Sequence, residues 1–223
     1  MTSAELRIDL GERGQVSAIH TRPPSARALL ALAHGAGAGM RHAFMEAMAA
    51  GLAERGVATL RYQYPYTEAG RRRPDQPRVL EATSRAAVAV AAELAGDLPL
   101  LAGGKSMGGR ITSQCQAAEP MPGVRGLVFF GFPLHAAGKP ATKRGDHLAA
   151  VAVPMLFLQG TRDALADLDL IRPLCAGLGD RAHLHVVDGG DHSFKVLKRS
   201  GRTDDEVRTE LCDAVAAFAA EVG

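Results

Sequence analysis

The sequence predicts an α/β fold: a mostly parallel twisted sheet of about 7–8 strands, helices on both faces and an antiparallel N-terminal hairpin. Three observations carry this. Short, continuous apolar runs recur along the chain and alternate with segments of helical periodicity. The N-terminal stretch instead alternates apolar and polar residues. Two irregular zones, 63–78 and 132–150, are rich in Pro, Gly and basic residues, and each follows the end of an apolar run.

Taken in order, residues 5–10 (ELRIDL) and 15–21 (QVSAIHT) alternate around Gly11 and Gly14, as two half-buried strands joined by a turn do. ALLALAH (28–34) is apolar almost throughout, the pattern of a strand buried on both faces. Phe44, Met48 and Leu52 then recur at helical spacing, and Gly56 ends that run. VATLRY (57–62) is the next strand and the Ala-rich stretch 79–96 the next helix, closed by Gly96. LPLLAGG (98–104) and VRGLVFFG (124–131) are buried strands separated by a helix that begins near Ser106. VPMLFLQG (153–160) and AHLHVVDGG (182–190) bracket a helix from about Ala166 to Leu178. The final helix, 204–222, opens on Asp204, Asp205 and Glu206, which suit the positive end of its dipole.

With 223 residues, 47% apolar and 22% charged, the composition is ordinary for a globular protein, and a single domain over 1–223 is expected. The net charge is +2 and the longest basic block is Arg71–Arg73, which argues against nucleic-acid binding. Cys115, Cys175 and Cys212 have no metal-ligand spacing and read as small buried hydrophobes in a reducing compartment. The N-terminus lacks a basic region followed by an apolar stretch, and no apolar run is long enough to span a membrane. A soluble, cytoplasmic protein without a membrane span is expected. Exposed edge strands leave pairing into a homodimer open.

In a parallel sheet, ligands bind beyond the carboxyl ends of the strands. Those ends carry His34-Gly35-Ala36-Gly37, Arg61-Tyr62, Gly104-Lys105-Ser106, Phe132 to His135, Thr161-Arg162-Asp163 and Gly189-Gly190-Asp191-His192. The stretch GGKSMGG (103–109) has two readings. A phosphate loop requires Gly-x-x-x-x-Gly-Lys-Ser, but the position of its first glycine is Pro99, at the start of the strand. Gly104-x-Ser106-x-Gly108 between a strand and a helix instead fits a nucleophile elbow, a sharp turn that presents the serine. An aspartate and a histidine follow it at later strand ends.

On these residues the chain resembles the α/β-hydrolases, close to the dienelactone-hydrolase-like branch and its small uncharacterised relatives. LAHGAGAG, GGKSMGGR, LFLQGTRDAL and GGDHSF correspond to the oxyanion strand, elbow, acid turn and histidine loop of that family, across nearly the whole chain. Many relatives insert a helical lid after the strand that here ends near Gly131, whereas the connection to the next strand is short. An open site with no large lid is expected.

The resemblance implies a Ser106 nucleophile, His192 as its base and Asp163 holding the imidazolium. Asp163 lies in the turn after a buried strand; Asp167 and Asp169 fall where they would cap the next helix, and Asp191 is too close to His192 to face it. His183 and His185 alternate along a strand, and His20, His42, His135 and His147 all lie before the acid in the chain. The oxyanion hole would use the Met107 N–H and a second N–H from the 34–39 loop, with Ala36 and Gly37 both candidates. His34 is expected to brace that loop, and Lys105 to be solvated or to pack its stem near the elbow. Arg61, Tyr62 and His135, with Tyr64, Tyr66, Arg71–Arg73 and Lys139, lie in or beside the irregular zones and would select an anionic substrate, unless they only face solvent. The expected activity is cleavage of an ester, thioester or similar acyl bond of a small molecule through an acyl-enzyme, with no metal or organic cofactor. Two alternatives are a non-catalytic binding or scaffold protein on the same fold, and an acyltransferase with the same triad.

Overall fold

The computed structural model describes residues 1–223. Strands β1 (Thr2–Asp9) and β2 (Gln15–Arg22) form the hairpin, with Gly14 at φ 77° completing its turn. The remaining strands are β3 (Ala28–Ala33), β4 (Val57–Tyr62), β5 (Leu100–Lys105), β6 (Val124–Phe130), β7 (Met155–Gly160) and β8 (Ala182–Val187). The eight strands form one sheet in the order β1-β2-β4-β3-β5-β6-β7-β8. β2 meets β4 antiparallel, and every later pairing is parallel. β3, β4 and β7 are buried at every position, which is why β3 and β7 read as near-continuous apolar runs; β4 buries Thr59 and Arg61 as well.

The helices are α1 (Ala43–Glu54), the single turn α2 (Pro65–Glu68), α3 (Pro77–Ala95), α4 (Met107–Ala118), α5 (Leu168–Leu178) and α6 (Asp204–Glu221). α3, α4 and α5 bury Leu80, Val88, Ile111 and Ile171 against one face of the sheet; α1 and α6 bury Met48, Leu52, Leu211 and Val215 against the other. Local chemistry sets the ends. Pro77 occupies the first turn of α3, Asp167 caps α5 by accepting from the Asp169 N–H, and Thr203 and Glu206 form a reciprocal capping box on α6.

The β6–β7 connection contains a 3₁₀ segment, Lys143–Ala150, packed on α4 and α5 at the side of the sheet. No lid covers the carboxyl ends of the strands. β1 and β8 are the two edge strands, and no helix is long and apolar enough to cross a membrane.

Candidate active site

Ser106 sits between β5 and α4 with φ 51° and ψ −116°, one of only two non-glycine residues with positive φ. Such a conformation costs about 1–3 kcal/mol and persists only where surrounding packing enforces it. The flanking glycines allow that packing. A Cβ on Gly104 would lie 2.3 Å from the Ala33 carbonyl oxygen, and one on Gly108 would lie 2.7 Å from the carbonyl oxygens of Ala33 and His34. The start of α4 therefore presses on the end of β3, and the serine is turned outward.

The His192 loop folds back over this edge. His192 Nε2 lies 2.8 Å from Ser106 Oγ, and Nδ1 lies 2.7 Å from Asp163 Oδ2. The Asp163 side chain is fully buried, while the imidazole is 24% exposed. A carboxylate only accepts, so Nδ1 carries the proton and the Nε2 lone pair faces the serine hydroxyl. Asp163 is held at both oxygens. Oδ1 accepts from the Leu165 N–H at 2.8 Å, and Oδ2 also accepts from Gln159 Nε2 at 2.6 Å. Asp191 caps its own turn by accepting from the N–H groups of Ser193 and Lys195, clear of the imidazole.

The loop after β3 lies beside the serine, with Gly35 packed on Lys105 and Ser106. The Gly37 N–H donates to the Tyr66 hydroxyl at 3.1 Å, whereas the Ala36 N–H has no partner. The Gly35 carbonyl accepts from His34 Nδ1 at 2.7 Å and from the Ala38 N–H at 3.2 Å. That carbonyl shares a planar trans peptide with the Ala36 N–H, so anchoring one aims the other in the opposite direction. His34 is fully buried, and desolvation pushes its pKa down to about 4, so it is the neutral tautomer that braces the loop. Met107 is the first residue of α4, and its N–H has no acceptor within the helix.

Ser106, His192 and Ala36 line a cleft of about 810 Å³ that runs over the α1–α6 face. Its walls include Phe44, Met45, Leu165 and Phe194, with Lys195 and Arg208 among its polar residues.

Three residues expected at the substrate lie elsewhere. Arg61 points to the α1 face of β4, is 6% exposed and donates to the Met40 carbonyl. Tyr62 points to the opposite face and is buried in the core, its hydroxyl donating to Ser84. His135 donates from Nδ1 to the Ala136 carbonyl and accepts the Asp167 N–H at Nε2, so it ties down the start of α5. Tyr64 and Tyr66 are fully buried, Arg71 pairs with Asp75, and neither Arg71–Arg73 nor Lys139 lines the cleft. A position at the end of a strand does not specify which face the side chain takes or how deep it lies.

One site residue escaped the sequence reading. Gln159 was visible as a lone amide inside the apolar run of β7. Of the two placements expected for Lys105 the packed one is seen: its stem lies against Gly35 beside the elbow, and its ammonium donates to the His192 carbonyl and lies 5.8 and 5.3 Å from the ring centres of Phe44 and Phe194.

Solved structures share this architecture. An α/β serine hydrolase without a lid from Xanthomonas campestris superposes with a TM-score of 0.74 at 19% identity, covering 98% of this chain and 95% of the other. An α/β serine hydrolase homologue from Coxiella burnetii gives 0.74 at 20% identity, covering 96% and 97%. Dienelactone hydrolase from Anabaena variabilis gives 0.72 at 19% identity, covering 99% and 96%. At such identities the likeness is one of fold. Residues 26–220 match the family described as alpha/beta hydrolase domain, from just before β3 to the last turn of α6. The chain therefore belongs to the α/β-hydrolase family.

Proposed function

We propose that the protein is a serine hydrolase that cleaves an ester, thioester or similar acyl bond through an acyl-enzyme on Ser106. The observation that carries this reading is the unbroken hydrogen-bond chain Ser106–His192–Asp163 beside two N–H groups free of protein partners, those of Met107 and Ala36. As Ser106 Oγ attacks the acyl carbon, its proton passes to His192 Nε2. The imidazolium is stabilised by Asp163, whose orientation Gln159 and the Leu165 N–H maintain. Charge developing on the acyl oxygen is met by the Met107 and Ala36 N–H groups, a contribution of about 10²–10³ in turnover per donor. His192 then protonates the leaving group. Water, activated by the same imidazole, releases the acid and regenerates the serine. The cleft falls within the roughly 300–1,000 Å³ typical of small-molecule sites, and the partly exposed imidazole favours water as the acceptor.

Fluorophosphonate labelling tests this. Wild type should be modified at one serine, and both Ser106→Ala and His192→Ala should lose the label while remaining folded. No labelling of folded wild type, or undiminished labelling of Ser106→Ala, would refute the assignment. A panel of p-nitrophenyl esters of increasing chain length would then define the acyl group.

A further inference from the structure

Lys105 immediately precedes the proposed nucleophile, yet its stem turns away from solvent. Its ammonium donates to the backbone carbonyl of His192 and is enclosed by the rings of Phe44 and Phe194, which stack with centres 5.9 Å apart. The space that a Gly131 methyl would fill lies 3.1 Å from Lys105 Nζ, 3.3 Å from His192 Nδ1 and 3.4 Å from Asp163 Oδ2. The cation thus shares one small chamber with the Asp163–His192 pair, on the Nδ1 side of the ring. No carboxylate makes ion-pair contact with it. Asp163 and Asp191 attract it from a greater distance, and burial alone pushes its pKa down, to about 8, which leaves it largely charged at neutral pH.

A buried carboxylate next to an imidazole favours the imidazolium. That field favours the protonated ring, which cannot accept the serine proton, so an opposing charge behind the imidazole serves the reaction. We propose that Lys105 is a positioning residue of this site: its ammonium anchors the histidine loop through the His192 carbonyl and opposes the field of Asp163 at the imidazole, so that Nε2 stays available to the serine proton. This inference rests on the hydrolase reading for its purpose, but its physical content concerns the imidazole alone. The other charged or titratable groups around His192 are His42 at the start of α1, Asp204 and Arg208 on α6, and Asp191 and Lys195 on its own loop. His42, Lys195, Asp204 and Arg208 line the cleft, as Lys105 does, and Asp191 lies in the loop; of the charged groups, Lys105 and Asp163 are the ones that converge with His192 Nδ1 at Gly131.

The test is an NMR titration of the histidine side chains in wild type, Lys105→Met, Lys105→Gln and Lys105→Arg, with His192 assigned from His192→Gln. Two charges several ångströms apart near a protein surface shift each other by about one pH unit. The His192 midpoint should rise by about that much in both neutral variants and return towards wild type in Lys105→Arg. The acid limb of kcat/KM for a neutral ester should move with it, with KM nearly unchanged. An unmoved His192 midpoint in either folded neutral variant would overturn the proposal, as would a rise that Lys105→Arg fails to reverse. A purely structural lysine would alter thermal stability without moving either pH curve. If the titration behaves as expected while fluorophosphonate labels nothing, the hydrolase reading fails and the electrostatic role of Lys105 stands.

Discussion

Replacing Lys105 with methionine should make the protein more stable at neutral pH. The ammonium is enclosed by Phe44, Phe194 and the His192 backbone, and its pKa falls from 10.5 to about 8, chiefly through desolvation. At roughly 1.4 kcal/mol per pH unit, that gap means the charged side chain destabilises the fold by about 3 kcal/mol wherever both states are protonated. Methionine matches the lysine stem in length and removes the charge. It also leaves the His192 carbonyl without its donor, at a cost of about 1–2 kcal/mol. The net expectation at pH 7 is a gain of about 1–2 kcal/mol.

The sign reverses with pH. The folded-state pKa is depressed, so between 8 and 10.5 the unfolded chain binds a proton that the native state has released, and wild-type stability rises across that window. The variant has no such group and gains nothing there. Its advantage should therefore shrink from pH 8 upward and become a deficit of about 1 kcal/mol near pH 10.5. Titrating groups that Lys105 does not influence cancel in the difference. Urea unfolding at pH 7, 8, 9 and 10, followed by far-ultraviolet circular dichroism because the chain contains no tryptophan, measures it directly. A variant less stable at pH 7, or a difference that does not change between pH 7 and 10, would refute the reasoning.

Three further outcomes follow from the site. The pKa of His34 is depressed from 6.5 to about 4, so its contribution is complete above pH 6.5 and is lost as pH falls to about 4, when only the unfolded chain binds the proton. That is about 3 kcal/mol in total, and urea unfolding of His34→Asn, which can still donate towards Gly35, should lack this component of the pH slope. Tyr66→Phe removes the acceptor of the Gly37 N–H and should cost about 1–3 kcal/mol in thermal unfolding. It should also lower kcat on a neutral ester more than it changes KM, since the donor loop loosens. Gly108→Ala places a methyl 2.7 Å from two carbonyl oxygens. It should cost about 1–3 kcal/mol and slow fluorophosphonate labelling of Ser106; an unchanged melting temperature would mean that β3 and α4 are not so tightly packed.

Much of the fold was legible because the sheet is buried on both sides. β3 appears as an uninterrupted apolar run and β7 as one broken only by Gln159, and the helices between the strands carry stop signals such as Gly56 and Gly96, whose φ values of 76° and 58° few other residues adopt. The elbow was legible because its glycines and serine are adjacent in sequence. Arg61, Tyr62 and His135 were misplaced because strand-end position says nothing of facing. Arg61 and Tyr62 diverge to opposite faces of β4, and His135 is consumed by the backbone of α5. The surroundings of Lys105 were unreadable for another reason. Phe44, Gly131 and the His192–Phe194 loop, which enclose it, come from three separate segments, and only the closed fold brings them together.

That chamber also gathers three places where the molecule breaks its own rules. Local propensity, capping and patterning agree along nearly the whole chain, and such agreement is what a funnelled sequence requires. Ser106 and Phe194 are its only non-glycine residues with positive φ. One is the neighbour of Lys105 in sequence, and the other packs on the Lys105 ammonium, a half-buried cation without an ion-pair partner. Each of the two strained residues costs about 1–3 kcal/mol, so the strain and the desolvated charge fall within one short stretch of the sheet edge. Packing alone gives no reason to concentrate them there. A sequence relieved of all three would be more stable and would lose the turn that presents Ser106, the ring that encloses the cation and the charge that opposes Asp163. These three anomalies therefore gather at the Gly-x-Ser-x-Gly motif, whereas the buried Arg61 cation and Pro173 inside α5 lie away from it.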